Sequence, residues 1–355
     1  MLKIVLLVLC VMIAAAGALG VYAYRNMNYD KKPLKKTYNA GYKEKQAMLE
    51  DGTVLNYAEG PANGPALLLI HGQSMEWEDY SRVLPGLAKH YHVYAIDCHG
   101  HGESGRDPSK YTGVAMGRDF VWFIEHVIGE PSVISGHSSG GLLAAWIAAY
   151  APEQVLGVVL EDPPFFKVEP AEMQNTFVWR ESFETVHSFK NQTAVEDYVE
   201  YSMENSYLWG LFGDLRKLLS ASTRKYRASH PGEPLKLWYV PYKWIHGTRY
   251  LDHFDLDFAE SFYTGSWFNG FDQEETLSRI SSPSIYLKAA TQYGKDGVLY
   301  AANSDEDAAK VHALIKGNEM ITIKSGHDIH FEQPDKFIKT MVDFLDKINR
   351  DKHMV

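Results

Sequence analysis

Cysteine is nearly missing, with Cys10 and Cys98 the only two in 355 residues. A cysteine-built zinc site is therefore excluded, and so is a disulfide framework as the basis of the fold, because Cys10 lies in an apolar leader and Cys98 follows an expected strand. Positive charge is also short: 35 Lys and Arg stand against 45 Asp and Glu, a formal net charge of -10. That balance argues against a nucleic-acid partner, which needs a basic surface to meet phosphate. Charge disappears altogether across residues 4–24, which are 21 consecutive uncharged positions between Lys3 and Arg25. Such a run is long enough to cross the hydrocarbon layer as a helix, and it reads as a single-pass N-terminal membrane anchor. The rival reading is a secretory signal cleaved near Ala16-Gly17-Ala18, but apolar residues continue past that point through Leu19, Val21 and Tyr22. Arg25, Lys31, Lys32, Lys35 and Lys36 follow the span. They favour a cytoplasmic domain and equally suit contact with anionic lipid, so the side of the membrane stays open.

What is present is an ordinary globular composition, 45% hydrophobic and 23% charged. A polar, lysine-rich tether is expected over 25–44. Residues 46–57 read as a hairpin turning at Glu50-Asp51-Gly52. Apolar runs of strand length follow at 66–70, 93–96, 133–135 and 156–160, separated by expected helices that include 80–90 and 117–128. This alternation predicts an α/β fold, a mostly parallel sheet with helices on both faces. The pattern lapses over 164–274, which holds five of the eight tryptophans, Trp179, Trp209, Trp238, Trp244 and Trp267. It resumes with strands at 284–289 and 320–323 and a helix at 334–348 striped with Phe337, Met341, Phe344, Leu345 and Ile348. The expected domains are thus a leader (1–24), the tether (25–44), a core in two parts (45–163 and 275–355) and, between those parts, an aromatic helical lid over the carboxyl edge of the sheet.

Between one strand and an alanine-rich helix stands Gly136-His137-Ser138-Ser139-Gly140. A tight strand-to-helix turn presses the backbone on either side of its apex together, so small residues are needed two positions away, and the helix start supplies free N–H groups. Ser138 is therefore a candidate nucleophile. A serine hydroxyl needs a base, and the base a third group to fix its tautomer. His327, in Gly326-His327-Asp328-Ile329-His330, follows a strand and falls at the same edge of the sheet.

With His71-Gly72-Gln73 after the first parallel strand and Asp97-Cys98-His99-Gly100-His101-Gly102-Glu103-Ser104 after the second, these motifs stand in the order found in α/β hydrolases. The chain resembles the lid-bearing serine hydrolases of that superfamily, the branch of esterases, lipases, proline iminopeptidases and epoxide hydrolases. The resemblance covers about 45–163 and 275–350. It implies an eight-stranded sheet with the lid inserted between strands 6 and 7, and a reaction that needs no cofactor. It makes His327 the general base, and His330 a brace for its loop. It puts the acid just beyond the strand at 284–289, where Asp296 is the first carboxylate; Asp162, ending the preceding strand, is the alternative. The oxyanion donors are the N–H groups of Gln73 and Ser139, with Gly72 and His71 shaping the first loop and His137 beside the nucleophile.

A serine at the elbow favours acyl transfer to water through an acyl-enzyme, and the aromatic lid, as an apolar slot for an acyl chain, favours a carboxylic ester as the small-molecule substrate. Amide or carbon–carbon bond hydrolysis is the nearest alternative, with Glu181, Glu184 and Glu204 available to meet a substrate amine. A non-catalytic membrane-tethered interaction protein is the alternative of another class. His327 and His330 lack the partners of a metal set, and His246, His253, Asp255 and Asp257 read as a hydrated or hydrogen-bonded lid surface. The sequence carries no signal for an oligomeric state.

Overall fold

Along Ala66–Ile70, Leu67 and Leu69 turn to one side of the sheet while Ala66, Leu68 and Ile70 turn to the other, and all five are fully buried. A strand apolar on both faces must be covered on both. The computed structural model describes residues 2–167 and 170–353; residues 1, 168, 169, 354 and 355, within the expected leader, lid and final core segment, lie outside it. Its principal elements are α1 (Leu2–Met27), α2 (Lys31–Asn39), β1 (Lys43–Met48), β2 (Val54–Glu59), β3 (Ala66–Ile70), β4 (His92–Ile96), α3 (Gly113–Phe123), β5 (Ser132–His137), α4 (Ser139–Tyr150), β6 (Val155–Glu161), α5 (Leu215–Ser229), β7 (Ser284–Ala289), β8 (Glu319–Ile323) and α6 (Pro334–His353).

Among the described residues the strands form one eight-stranded sheet in the order β1-β2-β4-β3-β5-β6-β7-β8. The β1–β2 and β2–β4 pairings are antiparallel and the remainder parallel. One core lies between the sheet and α3 and α4, with Phe120, Phe123, Leu142 and Ile147 buried there. The other lies under α6 and contains Phe337, Met341, Phe344 and Ile348, the stripe read from the sequence. The large helical insertion runs between β6 and β7. Part of its aromatic complement is core: Trp179, Phe183, Phe258, Phe262 and Trp267 join the main cluster, and Trp209 packs with Val199, Met203 and Leu219 in a smaller one.

Three local expectations differ from the structure. The helix expected over 80–90 is a 3-10 turn, Trp77–Arg82, and a short helix, Leu84–Leu87, because Pro85 can begin a helical turn but cannot continue one. The helix expected over 117–128 begins earlier, at Gly113, and its end widens into a π turn, Ile124–Ile128, closed by Gly129 at φ 76°. The expected tether is folded. α1 continues to Met27, α2 follows, and the last turn of α1 is clamped to the lid: Asn26 Nδ2 donates to the carbonyls of Leu237, Trp238 and Val240 at 3.3, 3.2 and 2.6 Å, while Asn26 Oδ1 accepts from the Tyr242 N–H at 2.8 Å. Asp30 pairs with Arg249 and Lys236. Before Asn26, α1 stands free, its most apolar window reaching a mean hydropathy of 2.9 with none of it buried. It is one apolar N-terminal helix long enough for an anchor or a signal segment.

Candidate active site

β5 leads directly into Ser138, whose φ of 52° and ψ of -122° lie outside the regions ordinary residues prefer. The glycines around it show why the turn holds. A Cβ on Gly136 would run into the Gly140 carbonyl, and one on Gly140 into the carbonyls of Ile70 and His71. The Ser138 N–H donates to the Glu161 carbonyl of β6 at 2.9 Å. α4 starts at Ser139, directing its first N–H groups toward the serine end of the turn.

The loop after β3 lies against this elbow. A Cβ on Gly72 would come within 2.8 Å of His137 Nδ1 and 3.0 Å of the Ser138 Cβ, so only glycine brings the Gln73 backbone this close. His71 braces the loop: its Nδ1–H donates to the Gly72 carbonyl at 2.7 Å, and its Nε2 accepts from the Cys98 N–H at 3.0 Å. Burial pushes the His71 pKa down to about 4, which keeps the ring neutral and able to accept. The motif after β4 supplies the second brace, where His101 Nε2 accepts from the Ser74 N–H at 3.1 Å. The Gln73 side chain donates to Ser182 Oγ of the lid at 2.7 Å.

His327 Nδ1–H donates to Asp162 Oδ2 at 2.7 Å. Asp162 is fully buried, while the His327 side chain keeps 34% of its exposure. Asp162 sits at φ 44° just past β6, a left-handed turn that Asp tolerates better than most residues. Its other oxygen accepts from the Ala289 N–H at 2.9 Å, and its own N–H donates to the Leu287 carbonyl at 2.8 Å. Burial would lower the His327 pKa, but the bond to Asp162 and the charges of Asp162, Asp328 and Glu161 outweigh it and hold the ring above the usual 6.5. The nucleophile's neighbour His137 packs its ring 4.6 Å from that of His327.

Asp296, the carboxylate favoured from the sequence, does not reach this histidine. After β7 the chain folds back on itself, with the Gly294 N–H donating to the Val298 carbonyl and the Tyr300 N–H to the Gln292 carbonyl. Asp296 rides at the tip of that excursion. There it accepts from the Tyr207 hydroxyl at 2.8 Å and faces Arg180 of the lid at 3.7 Å.

His330 lies deeper. Its Nδ1 meets Glu161 at 2.9 Å and its Nε2 meets Asp79 at 2.9 Å, with both partners fully buried. Asp79 also binds His246 Nε2 at 2.8 Å, and His246 Nδ1 meets the Tyr29 hydroxyl at 2.9 Å. Burial alone would lower the His330 pKa, but Glu161 and Asp79 hold it well above the usual value. His246, expected at a hydrated or hydrogen-bonded lid surface, is instead buried in this chain of bonds. Asp79, Glu161 and Tyr29 had no sequence signal, since their partners lie up to 251 positions away.

Asp79, His137 and His330 approach within 4.8 Å of one another, yet both His330 nitrogens are taken by carboxylates. His137, His327 and Asp328 form a second such set; a metal ion there would occupy the candidate base. A cleft of about 630 Å³ lined by Phe166, Lys167, Phe271 and Lys310 contains neither Ser138 nor His327.

The α/β hydrolase fold family model matches residues 65–334. The magnesium-chelatase 30 kDa subunit of Rhodobacter capsulatus is 34% identical over 101 residues, 28% of this chain and 36% of that protein. A human serine hydrolase-like protein is 30% identical over 180 residues, 48% of this chain and 81% of that protein. For the first curated relatives the match spans well under half of their length. Among solved structures, a membrane phospholipase A described as a bacterial virulence factor superposes with a TM-score of 0.57 at 19% identity, covering 98% of this chain and 99% of that one. The sheet order, the lid between β6 and β7 and the family match over residues 65–334 agree, and this chain belongs to the α/β hydrolase fold family.

Proposed function

We propose that the protein is a serine hydrolase that cleaves carboxylic esters through an acyl-enzyme, held at a membrane by α1. The observation that carries this reading is the His327–Asp162 bond of 2.7 Å beside an elbow that holds Ser138 at positive φ. Asp162 fixes the imidazole with its proton on Nδ1, leaving Nε2 as the base. Ser138 Oγ attacks the ester carbonyl as its proton passes to His327. The N–H groups of Gln73 and Ser139 meet the oxyanion, and losing one such donor typically costs about 3 kcal/mol. Collapse of the tetrahedral adduct expels the alcohol, which takes the proton from His327. Water, deprotonated by the same ring, then attacks the acyl carbonyl and frees Ser138 and the acid.

A lipid acyl ester is the substrate class we favour. It is supported by the apolar α1 and by the likeness to a membrane phospholipase A over 98% of the chain. The test is covalent labelling by a fluorophosphonate, followed by turnover of esters of graded acyl length against aminoacyl amides. We expect labelling that vanishes in Ser138→Ala and faster turnover of the esters. A folded protein that resists several fluorophosphonates overturns the serine mechanism, and preference for the amides overturns the ester assignment.

A further inference from the structure

Large apolar side chains exposed on one face need an explanation when they are contiguous. On the lid, Trp238 and Trp244 are 46% and 49% exposed, and Leu215 and Leu218 are each 61% exposed on one side of α5. Tyr239 and Leu211 are exposed as well. The Phe212 ring, 5.4 Å from that of Trp244, joins the leucine side to the aromatic side. The patch adjoins the foot of α1, because Asn26 in the last turn of α1 bonds the carbonyls of Leu237, Trp238 and Val240.

From these contacts we infer that this lid edge is a lipid-docking surface, continuous with α1 and lying in the headgroup layer of the same bilayer. The inference rests on the reading of α1 as an anchor. Residues 4–24 as a helix measure about 31 Å at 1.5 Å per residue, the thickness of the hydrocarbon core. That places Tyr22 and Tyr24, both exposed, at the interface where aromatic rings concentrate. Trp238 is one hydrogen bond away from α1, and the headgroup layer is about 5–8 Å deep, so the lid rings next to it enter that layer too. Exposed Arg25, Lys31, Lys32 and Lys243 flank the foot of the helix, as suits an anionic lipid surface. A bilayer is the occupant that accounts for an exposed apolar lid edge joined through Trp238 to an emerging span flanked by lysines.

The test uses the full-length chain in vesicles of phosphatidylcholine and phosphatidylglycerol. Tryptophan emission is read with lipids brominated near the headgroup, and a fluorophore on Cys10, exposed where Cys98 is buried, is read with lipids brominated deep in the chain. We expect both signals to be quenched, the tryptophan quenching to fall by more than half in Trp238→Phe/Trp244→Phe, and Cys10 quenching to be unchanged. Leu215→Asp/Leu218→Asp, with an unaltered near-UV spectrum, should also weaken the tryptophan quenching. Quenching of Cys10 with tryptophan quenching identical in wild type and variants overturns the docking surface and leaves the anchor standing. Loss of both signals overturns both. Tryptophan quenching without Cys10 quenching removes the anchor on which the inference rests and overturns a surface continuous with it. Self-association abolished by Leu215→Asp/Leu218→Asp, without lipid quenching, makes the face a contact between copies and overturns the inference.

Discussion

Asp162 and Asp296 are separated by what each one touches. Asp162→Asn should lower kcat on a soluble ester by about 10⁴-fold, since an amide favours the wrong imidazole tautomer. Asp296→Asn, at an exposed site bonded to Tyr207, should leave kcat within about 2-fold, as surface changes usually do. Equal losses in the two variants would contradict the assignment of the acid. The base must be neutral to act, and the Asp162 bond and charge hold its pKa above 6.5. The kcat/KM profile should therefore rise with pH through a midpoint above 6.5, and in Asp162→Asn the midpoint of whatever rate remains should move down. A wild-type midpoint at or below 6.5 would count against His327 as the base. Ser138 and His327 were legible because each sits in a short pattern whose neighbours share its strand end. Asp162 was legible only as the alternative to Asp296, because its bond to His327 spans 165 positions and the choice depends on where β6 and β8 lie in the sheet.

At the scale of elements, the elbow is a joint pressed against backbone on both sides. Gly140→Ala would push a methyl into two β3-side carbonyls, and backbone has little room to yield. We expect about 1–3 kcal/mol of lost stability in urea unfolding, with a fall in kcat as Ser138 and the Gln73 loop are forced apart. An unchanged midpoint and rate would contradict the close packing of the turn. Strands were legible throughout, because a run such as Ala66–Ile70 is apolar on both faces and ends at turn residues. Helix ends were harder: Pro85 splits one expected helix, and α2 forms from a lysine-rich stretch that packs on the turn Trp77–Arg82, where Thr37 Oγ1 donates to the Ser81 carbonyl at 3.1 Å, 44 positions along the chain.

For the whole molecule, the bonds linking Glu161, His330 and Asp79 join β6, the loop after β8 and the turn after β3. Removing His330 leaves the buried Glu161 without its imidazole partner and Asp79 with His246 alone, so His330→Gln should cost about 3–5 kcal/mol. The signs of the pKa shifts give a pH window. His330 is raised, so its contribution is complete below 6.5 and is lost as pH rises through its folded value. Asp79 is depressed, mainly by His330 and His246 against the opposing effect of burial, so its contribution is complete above 3.8 and is lost as pH falls toward its folded value. Wild-type protein should gain most over His330→Gln between those limits, which melting temperatures across pH will read. A difference independent of pH would show that the charges are not what holds this region.

The clamp at Asn26, Tyr29 and Asp30 decides where a protease could cut without harm. Cleavage beside Ala16-Gly17-Ala18 would release the domain from a bilayer and leave the whole clamp intact, since its residues lie further along the chain. A chain shortened past Asp30 would strip the partner from the Tyr29 side of His246, leave Arg249 without Asp30, and open the carbonyls that Asn26 covers. A recombinant soluble form should therefore begin before Asn26, and one that begins after Asp30 should express poorly even though every catalytic candidate is still present.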